Sequence, residues 1–365
     1  MTMSKLERID AVTEGREPDV APVYPFIMTQ AIYANQWKIA DVLTNKEFNG
    51  KKSADAILNT IKWYDYDLAI PWFFHPVGVN ELGGEMKIPD KFGEPPTIKE
   101  YPVKTAQDWE DVQKKLPLDP HRDGMIPGII ESTRIVAEKA GKETALCSGV
   151  LVGPTAACYL LRKIDDFNLD LARNPDFATE LIKAANDFNI DLLRAQYEAG
   201  SNSIADLWDV FGVELISPAM SEKILLPSVA EISKAAEKEF GKKTWLHSHG
   251  EFLHPKCYPV VEKFIKEAKI CGWHGDHRDP AGKLKEMVGK KYNIMTAMVI
   301  GREPATWVKG PVEKIENEVK TEVKDAAAGG GVIFTASCEI PPPTPGEYIK
   351  ALVKFARTYC KYPIS

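Results

Sequence analysis

Two histidines and a distant cysteine are the side chains in this sequence best suited to hold a metal ion. His247 and His249 follow an apolar stretch that reads as a short buried strand. Side chains on a strand alternate between its faces, so His247, His249 and Glu251 are expected to point the same way. Cys338 follows a second apolar stretch. Two imidazoles and one thiolate are good zinc ligands, and three protein ligands with an open fourth position are typical of a catalytic zinc site.

A simpler interpretation remains open for each member of this set. Two histidines spaced two residues apart also occur as exposed polar side chains at the end of a strand, and a lone cysteine is most often a small buried apolar residue. Glu251 is a candidate fourth ligand that a substrate would displace, or else an ordinary loop carboxylate. The metal hypothesis gains weight if both segments end at the same edge of one sheet.

Eight apolar segments alternate with helical patterns along the chain. This alternation is the pattern of a (β/α)8 barrel, the TIM-type fold, in which catalytic groups lie at the C-terminal ends of the strands. His247, His249 and Cys338 would then meet at one face of the barrel. The predicted strands cover residues 21–28, 67–72, 144–152, 202–208, 244–246, 269–273, 292–299 and 331–336.

Residues 79–104 interrupt this alternation. Short strand-like stretches flank a turn rich in glycine and proline, which predicts an N-terminal excursion of short strands from the barrel. No internal repeat, low-complexity segment or linker is visible. We therefore expect a single α/β barrel domain over residues 1–365, with an insertion at about 79–104.

The composition excludes several classes of protein. Of the 365 residues, 44% are hydrophobic and 27% are charged, and the net charge of −6 gives no nucleic-acid-binding footprint. No apolar run is long enough to span a membrane, and the first residues lack the apolar core of a secretory signal. The six cysteines lack CxxC spacing, which favours reduced thiols and a cytoplasmic location. The oligomeric state is not indicated.

Side chains near other predicted strand ends are candidates to bind or activate a substrate. Asp206 could orient a metal-bound histidine, receive a substrate hydroxyl or cap a turn. His75 could hydrogen-bond a substrate or be an ordinary surface histidine. An apolar, largely aromatic pocket is predicted from Tyr24, Met28, Trp72, Phe74 and Trp208, although barrel cores and rims also hold many aromatic residues. Candidates of lower rank are His254, Cys257, His274, His277 and Arg278.

The order of several short motifs resembles the uroporphyrinogen decarboxylase superfamily over nearly the whole chain. Residues 15–23 are similar to the G-x-x-P-D-R-V-P-V opening of that family. Further pieces follow in the family's order: Gly153-Pro154, Asn174-Pro175-Asp176, Glu198-Ala199-Gly200 with Asp206 after it, Leu215-Ile216-Ser217-Pro218 and Thr344-Pro345. Each piece is short, and their shared order makes the resemblance specific.

Two branches of this superfamily imply different chemistry. The decarboxylases carry an N-terminal arginine-rich segment that binds tetrapyrrole carboxylates, whereas residues 24–30 contain no arginine. The cobamide-dependent methyltransferases, which include methylcobamide:coenzyme M methyltransferases, hold zinc on His-x-Cys-Gly near the fifth strand and on a cysteine at the eighth. The matching positions are His247, His249 and Cys338, and His249 stands where the family has cysteine. The resemblance therefore implies a Zn2+-dependent methyltransferase.

The leading hypothesis is a zinc-dependent methyltransferase that works with a corrinoid protein. The chain shows no cobalamin-binding domain of its own, so a partner protein would carry the cobalamin. Replacing a thiolate ligand by neutral imidazole makes zinc a stronger Lewis acid, which favours activation of a small methylated substrate, best a methoxylated aromatic that undergoes O-demethylation. Methyl transfer between methylcobamide and a thiol is the nearest alternative. A metal-free decarboxylase and a non-catalytic subunit are alternatives of other classes.

Overall fold

The computed structural model describes residues 2–211, 215–275 and 279–364, so the candidates His277 and Arg278 lie outside the described residues. The strands in the described part are β1 (Val23–Tyr24), β2 (Leu68–Ala69), β3 (Glu85–Lys87), β4 (Thr97–Glu100), β5 (Ala145–Leu146), β6 (Ser148–Leu151), β7 (Ala205–Trp208), β8 (Thr244–His247), β9 (Gly272–His274), β10 (Met295–Ile300) and β11 (Val332–Ala336).

Parallel strands close into a ring. One sheet has the order β1-β11-β10-β9-β8-β7-β6, and β2 pairs in parallel with β5. β5 and β6 belong to one extended segment that is interrupted only at Cys147. The backbone amide of Asp67 donates to the carbonyl of Val23 at 2.9 Å, which joins β2 to β1. The predicted (β/α)8 barrel is therefore confirmed.

Helices connect successive barrel strands around the outside. They are α1 (Lys5–Thr13), α2 (Gln30–Ala34), α3 (Gly50–Tyr64), α4 (Ala106–Gln113), α5 (Ile126–Ala140), α6 (Gly153–Leu160), α7 (Ile164–Arg173), α8 (Pro175–Glu198), α9 (Pro218–Met220), α10 (Leu226–Phe240), α11 (Tyr258–Glu267), α12 (Ala281–Leu284), α13 (Lys290–Tyr292), α14 (Pro304–Lys309), α15 (Val312–Glu322) and α16 (Gly346–Tyr359). A 3-10 turn covers Ile39–Asp41, and π turns cover Ser221–Leu225, Lys285–Gly289 and Val323–Ala327. In the described part of the chain, no helix is both long enough and apolar enough to cross a membrane.

Local sequence signals explain where these helices begin and which face they bury. The side chain of Asn49 accepts a hydrogen bond from the amide of Lys52 at 3.0 Å and so caps the start of α3. Ala54, Ile57 and Ile61 recur at helical spacing and are buried, and α3 packs against α5. Burial of such apolar faces packs the helices against their neighbours and stabilises the positions of the strand ends.

The expected excursion of short strands is also present. β3 and β4 pair as an antiparallel hairpin, with Met86 opposite Ile98. Pro95 and Pro96 in its connecting region and Thr97 at the start of β4 line a cavity that also includes Glu339, which follows β11. The hairpin therefore covers part of the C-terminal face of the barrel, where the candidate site lies.

Candidate metal centre

His247, His249 and Cys338 meet at the C-terminal end of the barrel. His247 is the last residue of β8, His249 lies two residues beyond it, and Cys338 lies two residues beyond the end of β11. One ligand atom from each side chain lies within 4.8 Å of the other two. Ligand atoms of one tetrahedral zinc are about 3.3–3.6 Å apart, so modest side-chain rotations would bring all three onto one ion.

His247 directs an unused nitrogen toward this cluster. Among the described residues, no group hydrogen-bonds to its buried Nε2. Its Nδ1 lies 3.0 Å from Nδ1 of His274, and Nε2 of His274 lies 2.9 Å from the carbonyl oxygen of Ala336. Because a carbonyl can only accept, Nε2 of His274 carries a hydrogen, and its Nδ1 accepts one from His247. This arrangement leaves the Nε2 lone pair of His247 available, as a metal ligand requires.

Burial keeps His247 in the form that binds metals. Removal from water lowers the pKa of His247 well below its usual value of 6.5, and the nearby His274 and His249 lower it further. Since neutral imidazole is the metal-binding form, His247 needs no proton loss at neutral pH.

Asp209 holds the backbone segment between the two candidate ligand histidines, His247 and His249. Its buried carboxylate accepts hydrogen bonds from the hydroxyls of Ser248 and Thr155, both at 2.8 Å. Burial raises the pKa of Asp209 to about 6, and these hydroxyls oppose the rise. Directly after His249, Gly250 adopts a φ of +124°, a backbone conformation that favours glycine. These contacts fix the path of the chain on both sides of His249.

Glu251 and Asp206 lie apart from the cluster. Glu251 is exposed and is not part of the three-residue group. Asp206 is buried inside the barrel, where its Oδ2 accepts a hydrogen bond from the hydroxyl of Tyr24 at 2.6 Å. Burial raises the pKa of Asp206 to about 6. In this arrangement His274, rather than Asp206, contacts the ring of His247.

The predicted aromatic pocket divides into packed core residues and a cavity wall. Tyr24, Met28, Trp72 and Trp208 are buried in the core. Trp72, Phe74 and Trp208 border a small void of about 20 Å³, which has room for about one water molecule. Of these five residues, Phe74 also lines a much larger cavity beside the cluster.

His75 borders the small void rather than the metal cluster. Its Nδ1 lies 3.1 Å from the carbonyl oxygen of Phe73, and its ring packs on Phe48 at 4.7 Å between centroids. Burial lowers the pKa of His75 to about 4, so the ring is neutral at physiological pH. The structure therefore places His75 as a buried, hydrogen-bonded histidine.

The larger cavity, of about 380 Å³, is bordered by Glu339, the residue that follows Cys338. Most of the lining residues are aromatic or apolar: Phe74, Tyr101, Tyr159, Phe211, Pro76, Pro95, Pro96, Ile98, Ile164, Val210 and Cys158. Thr29, Thr97 and Glu339 are the polar residues of the lining. Burial raises the pKa of Tyr159 to about 12, and Cys338 and Glu339 lie close enough to add to the rise. Tyr159 thus links the cavity wall electrostatically to the thiol of Cys338.

Glu339 places a carboxyl group at this end of the cavity. The backbone amide of Thr29 donates to its Oε1 at 2.5 Å. Burial raises the pKa of Glu339 to about 7, although the contacts with Thr29 oppose the rise. Glu339 directly follows Cys338 in the chain, and it lines the cavity.

Sequence comparison agrees with the motif order. Residues 4–359 match the family model described as Uroporphyrinogen decarboxylase (URO-D). The chain belongs to the uroporphyrinogen decarboxylase family. The resemblance that the short motifs indicate is therefore confirmed, since the match covers nearly the whole chain.

Relatives within the uroporphyrinogen decarboxylase family carry two kinds of name. The methylcobamide:CoM methyltransferase MtaA of Methanosarcina barkeri is 28% identical over 241 residues, which cover 65% of this chain and 65% of that protein. A uroporphyrinogen decarboxylase of Trichlorobacter lovleyi is 25% identical over 265 residues, covering 71% of this chain and 72% of that protein. The chain thus matches somewhat less than two thirds of the length of MtaA.

A solved structure supports the fold of this family member. A methyltransferase from Methanosarcina mazei superposes with a TM-score of 0.79 at 21% identity, covering 98% of this chain and 99% of that chain. At this identity the likeness supports the barrel architecture alone.

Two residues that contact or border the site, His274 and Glu339, were not among the main candidates predicted from the sequence. His274 ends β9 and joins the two ligand-bearing segments through His247 and Ala336. Glu339 lines the cavity beside Cys338. Both lie at the C-terminal ends of barrel strands, so the strand-end rule could have ranked them higher.

Proposed function

We propose that this member of the uroporphyrinogen decarboxylase family is a zinc-dependent methyltransferase. It would move a methyl group between a small methylated substrate and the cobalt of a separate corrinoid protein. The convergence of His247, His249 and Cys338 beside an aromatic cavity carries this proposal. Relatives named methylcobamide:CoM methyltransferase support it.

The donor set suits Zn2+. Two imidazole nitrogens and one thiolate are ligands that zinc binds in catalytic sites, with the fourth position open. When bound, zinc supplies a Lewis acid that polarises the bond between the methyl group and its heteroatom. A site with one thiolate carries less negative charge than a site with two, so His249 favours activation of a methyl donor over activation of a thiol.

Neighbouring residues set the tautomer and the position of the proposed metal ligands. His274 fixes the tautomer of His247, and Asp209 anchors the segment that carries both histidines. Cys338 must lose its proton and remain reduced to bind zinc, which suits a cytoplasmic location. Because Glu251 is exposed, we assign the fourth position to substrate rather than to that carboxylate.

A methoxylated aromatic compound is the substrate class that the cavity suits best. Its volume of about 380 Å³ falls in the usual range for small-molecule sites, and Phe74, Tyr159 and Phe211 offer faces to an aromatic ring. In the reaction, the bond between oxygen and methyl carbon breaks and its electron pair stays on oxygen. The two electrons of the new cobalt–carbon bond would come from Co(I) on the corrinoid partner, and the phenolate would take a proton from water.

We assign the corrinoid to a partner protein. The spacing Asp-x-His-x-x-Gly of corrinoid-binding segments does occur in this chain, at residues 119–124. It lies between α4 and α5, where His121 is exposed and approaches the carboxylate of Glu198 at 3.4 Å. A surface turn of this kind offers no buried pocket for a corrinoid base, so the partner would present its cobalt at the C-terminal face of the barrel.

Methyl transfer between methylcobamide and a thiol is the second candidate, because relatives of this chain are named for coenzyme M. His249 argues against it by charge, as above. A metal-free decarboxylase is the third candidate, since the family model and other relatives bear that name. The lack of arginine in residues 24–30 disfavours it.

The test is single-turnover methyl transfer to a corrinoid protein reduced to Co(I). Methoxylated aromatic donors are mixed with zinc-loaded protein, and loss of the Co(I) absorbance is followed together with release of the phenol. We expect transfer by the unaltered protein and none by Cys338→Ala or His247→Ala. The matched control His121→Leu, on the surface, should retain transfer.

Three results would redirect the proposal. Faster methylation of a thiol from methylcobalamin than demethylation of any methoxylated aromatic would favour the second candidate. Release of CO2 from a tetrapyrrole carboxylate by metal-free protein would favour the decarboxylase. Full transfer by Cys338→Ala would remove the cluster from the mechanism.

A further inference from the structure

The charged side chain that lines the larger cavity is acidic. Of the residues that line it, all within the described part of the chain, Glu339 is the carboxylic acid, and no lysine or arginine is among them. The other lining residues are aromatic, aliphatic, proline, threonine or cysteine. A substrate that fills this cavity therefore meets apolar walls and a single acidic group.

In the described part of the chain, no cationic side chain compensates the charge of this acidic group. Within residues 2–211, 215–275 and 279–364, no lysine, arginine or histidine forms an ion pair with Glu339, and Thr29 is its hydrogen-bond donor. A buried carboxylate needs hydrogen-bond donors or an opposite charge to offset its removal from water. The cavity side of Glu339 is therefore suited to a donor group on the substrate.

We propose that Glu339 determines specificity by accepting a hydrogen bond from a substrate hydroxyl that lies next to the transferred methyl group, and by repelling substrates with a carboxylate there. This inference rests on the proposed function. Glu339 directly follows the proposed ligand Cys338, and both act electrostatically on Tyr159, so a group that contacts Glu339 would lie at the end of the cavity nearest the cluster. In the methoxylated aromatic class, the matching substrate is a 2-methoxyphenol.

A cationic substrate is the competing chemistry, since a methylated ammonium also complements a carboxylate among aromatic rings. A quaternary nitrogen has no lone pair to offer a Lewis acid, whereas an ether oxygen has two. Because Glu339 directly follows the proposed ligand Cys338, we expect the reacting heteroatom and the donor group of the substrate to lie at the same end of the cavity. That requirement favours the hydroxyl-bearing ether.

The first test needs no variant. Zinc-loaded protein is given 2-methoxyphenol, methoxybenzene, 2-methoxybenzoate or phenyltrimethylammonium at pH 8, and kcat/KM for methyl transfer and the equilibrium Kd are measured for each. A hydrogen bond to a charged acceptor predicts that 2-methoxyphenol exceeds methoxybenzene by about tenfold to about a hundredfold. 2-Methoxybenzoate should be the poorest ether, because two carboxylates would face each other in a dry site.

The second test changes the carboxylate. Glu339→Gln keeps the shape of the side chain and a hydrogen-bond acceptor but removes the charge, and Glu339→Leu removes both. We expect the preference for 2-methoxyphenol over 2-methoxybenzoate to shrink about tenfold in Glu339→Gln, and the preference over methoxybenzene to vanish in Glu339→Leu. The exposed Glu347→Gln is the matched control and should change neither ratio. Zinc content and thermal melting check that each variant is folded.

The outcomes separate this inference from the proposed function. Transfer from methoxybenzene as fast as from 2-methoxyphenol, or unchanged ratios in both Glu339 variants, overturns the role of Glu339 and leaves the methyltransferase proposal intact. Preferred turnover of phenyltrimethylammonium overturns the hydroxyl assignment. A third outcome is that 2-methoxyphenol binds selectively, that Glu339→Leu loses this selectivity, and that no donor gives methyl transfer. This outcome supports the role of Glu339 as a binding group and overturns the proposed reaction. Absence of both transfer and selective binding overturns both.

Discussion

Replacement of His274 by leucine tests how the site prepares its metal ligand. Leucine keeps much of the volume of the ring but removes two hydrogen bonds, one to His247 at 3.0 Å and one to the carbonyl of Ala336 at 2.9 Å. At about 0.5–1.5 kcal/mol for each net hydrogen bond, the loss is about 1–3 kcal/mol. If this loss falls on metal binding, zinc affinity drops about 5-fold to about 150-fold. Changes to groups that orient metal-bound histidines typically cost about 10–100-fold in affinity, which agrees with this range.

Competition with a chromophoric zinc chelator at fixed pH measures this effect. His274→Asn serves as a partial rescue, because its amide oxygen can still accept from His247 although it cannot reach Ala336. We expect its zinc affinity to lie between those of the unaltered protein and His274→Leu. His121→Leu, at the surface, controls for loss of a histidine in general. An unchanged zinc affinity in His274→Leu, with or without a lower melting temperature, would refute the assignment of His274 as a positioning residue.

Two further predictions concern buried charges away from the cluster. Burial raises the pKa of Asp206 from 3.8 to about 6, so the unfolded chain releases this proton at lower pH than the folded chain does. We therefore compare the free energy of unfolding of the unaltered protein with that of Asp206→Asn. The difference should fall by up to about 3 kcal/mol as pH rises from about 4 to about 6, and then stay level. Urea titrations in which the difference rises or does not change would contradict this sign. Nζ of Lys285 donates to the carbonyls of Ala326, Ala328 and Gly330 at 2.6–2.7 Å. Lys285→Met should lower the free energy of unfolding by about 2–4 kcal/mol in urea titrations, and a loss below about 0.5 kcal/mol would argue against these bonds.

The barrel was predictable because its signals are local and repeated. Apolar segments separated by helical patterns fix which residues become strands, and a break such as Asn174-Pro175 fixes where one helix ends, with α7 stopping at Arg173 and α8 beginning at Pro175. The boundaries were less predictable. The sixth barrel strand, predicted to end at residue 273, reaches His274, because pairing with β8 extends to its last residue, His247.

The convergence of His247, His249 and Cys338 was predictable for the same reason, since strand ends in a parallel barrel share one face. The contacts around it were not, because they depend on side chains far apart in sequence. His247 and His274 are separated by 27 residues and Thr29 and Glu339 by 310, and no spacing rule relates such pairs. Asp206 shows the reverse case. Its place at a strand suggested a role beside a metal-bound histidine, but its side chain points into the barrel core and meets Tyr24.

The measurement that tests the central claim most directly is the zinc content of the purified chain and of its Cys338→Ala and His247→Ala variants, by plasma mass spectrometry after expression with added zinc. Three convergent protein ligands predict about one zinc per unaltered chain, and loss of most of that zinc in each variant although both variants still melt cooperatively. An unaltered chain without zinc, or variants that retain a full zinc equivalent, would contradict the assignment of His247, His249 and Cys338 as the metal centre.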